Sequence, residues 1–313
     1  MLAIVTLLTL LCFSHTFADP PLKVICAGRA KVSPKIDGLL DDACWGETEA
    51  RDDFSSPTGA KSLKRRTVIR VVYDDENLYL GLEFFWNDIQ ILKKAIRTIL
   101  EEKGKPAEGV TISIDDYVNR YGVEIFIDPG ATKVNWTQIL FNAAGQYTGN
   151  YKMMWDRFKG GNTFRSVVHE DRWTAELVQP AKGLKPGDAW GFNLVRNDES
   201  YYGMWKQFGG AFAQPKKFGR LVIGSYSEWW EAVFAKGTQE RLEEIRRNGR
   251  KSKRLLSLNG IVAEHAAKVG EIAEAHPPSN RNNFELLYRT YTEFKKNLDR
   301  LEVAYETYRQ MNK

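Results

Sequence analysis

The sequence has few of the residues that most often bind metals or carry out redox chemistry. Its 313 residues include 3 cysteines, 4 histidines and 5 methionines, with no Cys-x-x-Cys pair and no Cys/His spacing of the kind that binds zinc. A haem would need axial histidine or methionine ligands, and the strand-rich part of the chain has only Met153, Met154, His169 and Met204. The composition therefore disfavours zinc, thiol and haem chemistry.

The sequence also lacks a hydrophobic run long enough to cross a bilayer. Residues 1–18 carry no charge, and an apolar run at residues 2–13 is followed by Thr16-Phe17-Ala18, a small-x-small cleavage pattern. We interpret residues 1–18 as a signal peptide that is cleaved after Ala18. This predicts a secreted, periplasmic or cell-surface protein with no transmembrane segment after cleavage.

Cleavage would leave only Cys26 and Cys44, an even pair in an oxidising compartment. A disulfide between them would join the first strand to the turn before Trp45, and closing that loop would contribute about 3 kcal/mol. The alternative is that both are buried free thiols, because cysteine is often a small core residue.

Positive charge is mild overall but concentrated in one place. The formal net charge is +5, and much of the basic character falls in Arg246-Arg247-Asn248-Gly249-Arg250-Lys251-Ser252-Lys253-Arg254. Such a run is usually a solvated helix face; contact with an anionic glycan, a cell wall or a membrane surface is the alternative. Nucleic acid is not expected as a partner outside the cell.

Short runs rich in β-branched and aromatic residues, each closed by Asp, Asn, Gly or Pro, recur along the first two thirds of the chain. This pattern is typical of strands in an antiparallel sandwich. The runs are residues 36–38, 71–75, 78–80, 123–128, 173–177, 191–194 and 218–221. We predict a mainly β chain, with an antiparallel β-sandwich of jelly-roll or immunoglobulin-like type over residues 19–225 and a crossing helix at residues 88–103.

Residues 226–313 are predicted to form an antiparallel α-helical hairpin. Apolar residues at residues 287, 291, 294, 298, 301, 305 and 308 alternate steps of four and three, as in a coiled-coil seam. The partner helix is predicted at residues 239–274, with a break at residues 276–279 and Ser279 as N-cap. Packing within the chain is the favoured interpretation of this seam, and a homo-oligomer through these helices is the alternative.

Alternation along the predicted strands places polar side chains on one outer face. On residues 123–128, Val123, Ile125 and Ile127 face the core and leave Glu124 opposite. The same rule applied to the other strands selects Gln138, Asn142, Glu176 and Asn193. Carboxylates and planar amides bind the hydroxyls of sugars, and flat aromatic rings stack on their apolar faces. Aromatic candidates in loops or at strand ends are Tyr117, Tyr121, Trp155, Tyr201, Tyr202, Trp205 and Phe212.

Five ordered motifs between Ala27 and Ile223 resemble the carbohydrate-binding modules of family 9, in the broad sense that includes the DOMON-like sandwiches. They are residues 36–45 (IDGLLDDACW), 73–79 (YDDENLY), 123–128 (VEIFID), 190–193 (WGFN) and 215–221 (PKKFGRL). The resemblance implies a non-catalytic β-sandwich that binds a polysaccharide or a chain end between two tryptophans.

The resemblance also suggests roles for particular residues. By position, Glu124 matches a sugar-contacting glutamate. The first clamp tryptophan would fall within residues 115–121, where the chain has Tyr117 and Tyr121 instead. The second would fall at Phe212, with Trp205 upstream as a stand-in, and a family arginine would fall at Leu140.

We predict no cofactor apart from a structural calcium ion, which is known in this family and which the resemblance leaves open. Asp37, Asp41 and Asp74, with neighbouring aspartates, provide hard oxygen donors in turns. The alternative is that these residues cap the backbone, as aspartates in turns usually do.

We therefore predict a secreted, non-catalytic carbohydrate-binding protein associated with polysaccharide recognition or breakdown. One alternative is a structural or partner-binding protein whose sugar site has decayed, since the clamp tryptophans are missing. A glycoside hydrolase is a second alternative, but its two carboxylates, such as Glu124 and Glu176, would have to stand about 5 to 10 Å apart across a cleft. A haem-binding DOMON-like protein is a third.

Overall fold

The computed structural model describes residues 23–56, 65–103, 122–151, 163–198, 201–206 and 213–311. The predicted signal peptide lies outside these ranges. The strands are β1 (Val24–Arg29), β2 (Thr67–Tyr73), β3 (Asn77–Phe85), β4 (Gly122–Asp128), β5 (Thr137–Asn142), β6 (Tyr147–Tyr151), β7 (Thr163–Val168), β8 (Arg172–Pro180), β9 (Ala189–Asp198), β10 (Tyr201–Met204) and β11 (Gly219–Ile223). The helices are α1 (Ala43–Gly46), α2 (Ile89–Lys103), α3 (Tyr226–Trp230), α4 (Gly237–Asn248), α5 (Lys253–Ala275) and α6 (Arg281–Met311).

The strands form one hydrogen-bonded path in the order β6-β5-β4-β9-β11-β1-β2-β3-β8-β7, with β10 added on β9. Strand β1 divides this path, because Val24 to Ala27 pair with β11 while Gly28 and Arg29 pair with β2. We call β6, β5, β4, β9, β11 and β1 the front sheet and β1, β2, β3, β8 and β7 the back sheet. The two pairings of β1 are parallel and the other described pairings are antiparallel.

The main core lies between the two sheets, as the alternation in the sequence predicts. Leu80, Leu82 and Phe84 of β3 and Ile125 of β4 are fully buried in it. Phe84 of β3 stacks on Trp173 of β8, with ring centroids 4.2 Å apart. A mainly β, sandwich-like fold with a helical C-terminus is confirmed.

A buried arginine joins the two sheets at one end of the core. The Arg196 side chain on β9 donates from Nη1 to the Arg66 carbonyl oxygen at 3.0 Å and from Nη2 to the Phe85 carbonyl oxygen at 3.0 Å. Arg196 is 1% exposed. Burying an unpaired cation is energetically costly, so these carbonyl oxygens are needed to stabilise the charge of Arg196. Arg196 therefore fixes the spacing of the front and back sheets at this end.

The predicted first strand at residues 36–38 is instead a turn on the outer face of the back sheet. The Glu176 carboxylate on β8 accepts hydrogen bonds from the backbone N–H groups of Asp37 and Gly38, at 2.9 and 2.8 Å, and from Trp45 Nε1 at 2.9 Å. Gly38 has a φ of 89°, which glycine adopts without strain. The segment is thus held on the back sheet by this carboxylate and by Thr174 Oγ1, which donates to the Gly38 carbonyl oxygen at 2.5 Å.

The C-terminal helices share a second core with the front sheet. Val24 and Val222, on the outer side of β1 and β11, are buried against Trp229 of α3 and Phe284 of α6. The predicted seam residues from Leu287 to Tyr305 are buried in this core, so the seam packs within the chain. In the described part of the chain, no helix combines the length and apolarity needed to span a bilayer.

Two details of the predicted hairpin differ from the structure. The long partner helix predicted at residues 239–274 is divided into α4 and α5 by a turn at residues 249–252. The N-cap of α6 is Asn280 and not Ser279, because the Asn280 side-chain oxygen accepts from the Asn283 N–H at 3.1 Å. Helix α2 agrees with its prediction to within one residue.

The predicted disulfide between Cys26 and Cys44 is wrong, since both are free, buried cysteines. Cys26 points from β1 into the core shared with the helices. Cys44 belongs to a separate cluster with Trp45 and Tyr79 on the outer side of the back sheet. The two sheets therefore separate the two thiols.

The second core predicts a contrast between two neighbouring residues of α6. Phe284 is fully buried and its ring centroid lies 4.7 Å from that of Tyr226, whereas Leu286 is 44% exposed. We expect Phe284→Ala to lower the free energy of unfolding by about 3–5 kcal/mol and Leu286→Ala to change it by less than about 0.5 kcal/mol. Urea denaturation followed by tryptophan fluorescence measures both; equal effects would contradict a shared core.

Candidate functional site

A carboxylate and two amides meet on the outer face of the front sheet, beyond the part that the helices cover. Glu124, Gln138 and Asn197 lie on the adjacent strands β4, β5 and β9. Gln138 Nε2 donates to Glu124 Oε2 at 2.7 Å, and Asn197 Nδ2 donates to Glu124 Oε1 at 2.7 Å. We call these three residues the polar triad.

The polar triad is nearly buried and still has acceptors to offer. Glu124 is 5% exposed. Burial raises the pKa of its carboxyl above that of an ordinary glutamate, although the hydrogen bonds donated by Asn197 and Gln138 act to lower it. A carboxylate has about four acceptor positions, and the two amides occupy two of them. Within the described ranges the buried Asn197 Oδ1 has no donor. This arrangement suits a ligand that brings hydroxyl donors.

A partly exposed tryptophan lies beside the polar triad. Trp136 precedes Gln138 by two residues, so the two side chains point to the same side of β5. Its ring centroid is 6.0 Å from that of Phe126 and 6.4 Å from that of Phe218. Phe126 and Phe218 are buried in a small cluster on this outer face, and Trp136 packs against that cluster. The site thus combines polar acceptors with a flat apolar surface.

Trp205, predicted as a stand-in for a clamp tryptophan, is a core residue instead. It is fully buried between the sheets and makes an edge contact with Phe192 at 5.4 Å between ring centroids. A Cβ on Gly219 would lie 2.5 Å from the Trp205 ring, so the glycine of the Phe218-Gly219-Arg220 motif leaves room for this ring. No face of Trp205 is open to a sugar.

Two of the predicted outer-face amides have structural roles. Asn142 is 1% exposed; its side chain accepts from the Ala144 and Gln146 N–H groups and donates to Gln146, which closes the turn between β5 and β6. Asn193 exchanges two hydrogen bonds with the backbone of Lys206 and holds the segment after β10. These hydrogen bonds give Asn142 a structural role, and its contact with sugar stays a prediction.

Several aromatic candidates are not covered by the structure. Tyr117, Tyr121, Trp155 and Phe212 lie outside the described residues, so their roles stay predictions. Strand β10 brings Tyr202 into register with Asn197. Leu140, the position expected for a family arginine, pairs with Glu124 and is buried.

The carboxylates proposed for a hydrolase lie on opposite sides of the protein. Glu124 points to the outer face of the front sheet and Glu176 to the outer face of the back sheet, since their neighbours Ile125 and Ala175 both face the core between them. Glu176 is fully buried and uses both oxygens to hold residues 37–45. Glu124 and Glu176 therefore cannot act as a catalytic pair across one cleft.

The aspartates considered for calcium act in turns. Asp74 accepts from two backbone N–H groups, those of Glu76 and Asn77, and from the hydroxyls of Ser33 and Tyr79. Asp37 accepts from the Leu39 N–H and pairs with Lys35. Among the residues described, no three His, Cys, Asp or Glu side chains gather in a metal-binding group. Calcium at Asp37, Asp41 and Asp74 stays a prediction.

Sequence reasoning missed Asn197 and Trp136. Asn197 lies four residues after Asn193, on the same side of β9, but the predicted strand ended at Leu194. Extending the predicted strand by three residues, with the same alternation, would have identified it. Trp136 directly precedes the strand that carries Gln138, and the same alternation places it beside the polar triad.

Known proteins that are similar to the chain include a xylanase and carbohydrate-binding proteins. Over 199 residues the chain is 24% identical to Endo-1,4-beta-xylanase A of Thermotoga neapolitana, and the match covers 61% of this chain but only 17% of the xylanase. A solved carbohydrate binding module family 9 from Caldicellulosiruptor kristjanssonii, in complex with cellotriose, has 18% identity and a TM-score of 0.46, over 64% of this chain and 94% of the module.

A putative carbohydrate-binding protein from Bacteroides uniformis has 13% identity and a TM-score of 0.47, over 64% of this chain and 99% of its own. The family model described as carbohydrate family 9 binding domain-like matches residues 36–225. That match covers more than half of the chain, and the protein therefore belongs to the carbohydrate family 9 binding domain-like family.

Proposed function

We propose that this protein is a secreted, non-catalytic carbohydrate-binding protein that binds sugar at the polar triad. The observation that carries this proposal is Glu124 held between Gln138 and Asn197 at 2.7 Å from each amide nitrogen, with acceptors left over. Family membership supports it, because the matching model is that of a carbohydrate-binding domain.

Each part of the site matches one part of a sugar ring. Vicinal hydroxyls donate to the free acceptor positions of Glu124 and to Asn197 Oδ1, which removes the cost of leaving that buried oxygen unpaired. The apolar C–H face of the ring stacks on Trp136. Because the strands fix the three residues of the polar triad, little side-chain entropy is lost on binding.

The proposal assigns no catalytic role to Glu124. Glu176, the partner considered for it in a hydrolase, lies beyond the core and is occupied by backbone N–H groups. The relation to a xylanase concerns 17% of that enzyme, so it supports an association with polysaccharide breakdown and not the chemistry itself. The apolar residues 2–13 and the pattern ending at Ala18 support secretion.

Glu124→Gln tests the central contact. The variant keeps the shape of the side chain, and Asn197 can rotate its amide to face the new NH₂ group, so we expect normal folding. The loss of an ionised acceptor should weaken sugar binding about tenfold to a hundredfold, since a hydrogen bond to a charged group contributes about 1.5–3 kcal/mol.

Calorimetric titration with a panel of neutral oligosaccharides measures this effect, with the exposed Glu170→Gln as a matched control. Unchanged affinity in Glu124→Gln would contradict the site. If no sugar binds the unaltered protein at millimolar concentration, a structural or partner-binding role is favoured instead.

The raised pKa of Glu124 predicts a pH dependence of binding. The ionised carboxylate accepts hydrogen bonds from both amides and still offers acceptor positions to sugar hydroxyls. Protonation removes the charge and converts one oxygen into a donor, so affinity should fall as the pH drops through the folded pKa. Because burial raises that pKa above the ordinary value of 4.5, the loss begins at a higher pH than for an exposed glutamate. Titrations between neutral and mildly acidic pH check this, and the Glu124→Gln variant should show no such step.

The two tryptophans should respond differently to substitution. Trp136→Ala removes the stacking surface and should weaken binding about tenfold with little effect on stability. Trp205→Ala empties a core position and should lower the free energy of unfolding by about 3–5 kcal/mol. Thermal unfolding and sugar titration on both variants separate the effects; a Trp136→Ala variant with full affinity would remove Trp136 from the site.

A further inference from the structure

Six cations crowd the turn between α4 and α5. Residues 246–254 contain six Arg or Lys and no Asp or Glu, and the side chains of all six are exposed. They are Arg246, Arg247, Arg250, Lys251, Lys253 and Arg254. We call this turn with its six cations the basic tip.

Within the described residues, no ion pair neutralises the basic tip. Other cations of the helices have partners: Arg241 pairs with Glu244 at 2.6 Å and with Glu302 at 3.1 Å, and Lys268 pairs with Glu264 at 2.9 Å. For the six cations of the basic tip, no carboxylate of a described residue lies within 4.0 Å. Their summed field therefore acts on solvent and on whatever approaches.

The basic tip is held in a fixed shape. Ile245 and Leu255 are buried on the inner side of the turn, which directs the charged side chains outward. Asn259 Nδ2 donates to the Leu242 carbonyl oxygen at 3.0 Å and ties α5 to α4. Ser252 caps α5 by accepting from the Leu255 N–H at 3.3 Å. The backbone is thus preorganised, and binding would order only side chains.

The basic tip is remote from the end of the helices that contacts the sandwich. The turn after α5 lies next to α3, the helix that follows β11, where Ser227 donates to the Pro278 carbonyl oxygen at 3.1 Å. Near this end, Arg220 of β11 donates from Nε to the Tyr288 hydroxyl of α6 at 3.3 Å. The 23 residues of α5 span about 34 Å at a rise of about 1.5 Å per residue. The basic tip is therefore a separate surface from the polar triad.

We propose that the basic tip is a second binding surface, for a polysaccharide that carries carboxylate groups. Four of the six cations are arginines, whose planar guanidinium groups bind carboxylates with two parallel hydrogen bonds. A polysaccharide of this kind carries many carboxylates along its length, so several weak contacts form together and their binding free energies add. The family of the chain favours a carbohydrate over other polyanions.

An anionic membrane is a weaker match to the same charges. Binding within a membrane interface needs an apolar face beside the cations. Leu256, the exposed apolar residue nearest to the six cations in sequence, is only 39% exposed. The next, Ile261, lies five residues further along α5 and about 140° around the helix from Leu256. The two do not form one face.

Binding of the full protein to polygalacturonate tests the proposal, with dextran as the neutral polymer. The test variant is Arg246→Gln, Arg247→Gln, Arg250→Gln and Lys251→Gln combined. The control variant removes the same charge from exposed positions spread over the helices: Lys236→Gln, Arg289→Gln, Lys296→Gln and Arg300→Gln. Thermal unfolding verifies that both variants fold.

We expect tighter binding to polygalacturonate than to dextran at low salt. The affinity for polygalacturonate should fall steeply between about 0.02 M and about 0.3 M salt because the contacts are exposed. The test variant should lose at least about tenfold in affinity and much of the salt dependence, because it removes four of the six cations whose summed field attracts the polymer. The control variant should lose much less.

Three results would overturn the proposal: no binding to polygalacturonate at low salt, equal losses in both variants, or tip-dependent binding to phosphatidylglycerol vesicles without binding to the polymer. The Glu124→Gln variant should bind polygalacturonate as the unaltered protein does. Failure at the basic tip is thereby distinguished from failure at the polar triad.

Discussion

Strand β1 must bury both of its faces, and the arrangement of the protein depends on this constraint. Ile25 and Ala27 face the core between the sheets, whereas Val24 and Cys26 face the C-terminal helices. A strand buried on both sides has no solvated face. The front sheet and the C-terminal helices therefore stabilise each other, because each buries apolar surface of the other. The helices cover the β1–β11 side of the front sheet and leave the outer face of β4, β5 and β9 for the polar triad.

The sequence predicts the inner face of the sandwich well and the outer faces poorly, for a physical reason. Alternation identifies which side chains face the core, and Ile125, Leu80 and Phe84 are buried as expected. It cannot identify what covers the other side. Glu176 was expected in solvent, but residues 37–45 lie over it, and that contact joins residues 138 positions apart. Such long-range cover is set by tertiary packing and has no local signature.

The same limit explains the candidate site. Glu124 and Gln138 were predicted to lie on one face of the sheet, and their side chains are in contact. Alternation determines the face of each side chain, and side chains on one face of paired strands are neighbours. The sequence analysis placed Trp205 in a loop or at a strand end. Its ring lies in the core instead, because Gly219 has no Cβ and leaves room for it. Arg196 and Arg51 are buried cations that composition alone would place at the surface. Arg196 donates to backbone carbonyl oxygens. Arg51 donates from Nε and Nη2 to Asp53, while its Nη1 has no partner among the described residues.

The two cysteines have a consequence for how the chain is made. Burial raises the pKa of the Cys26 thiol far above its usual range and also raises that of Cys44, so neither forms the thiolate that attacks disulfides or oxidants. Their packing clusters contain apolar partners and no second sulfur. The packing of the described residues thus needs no disulfide between Cys26 and Cys44, and their fold does not depend on the redox potential of the surroundings.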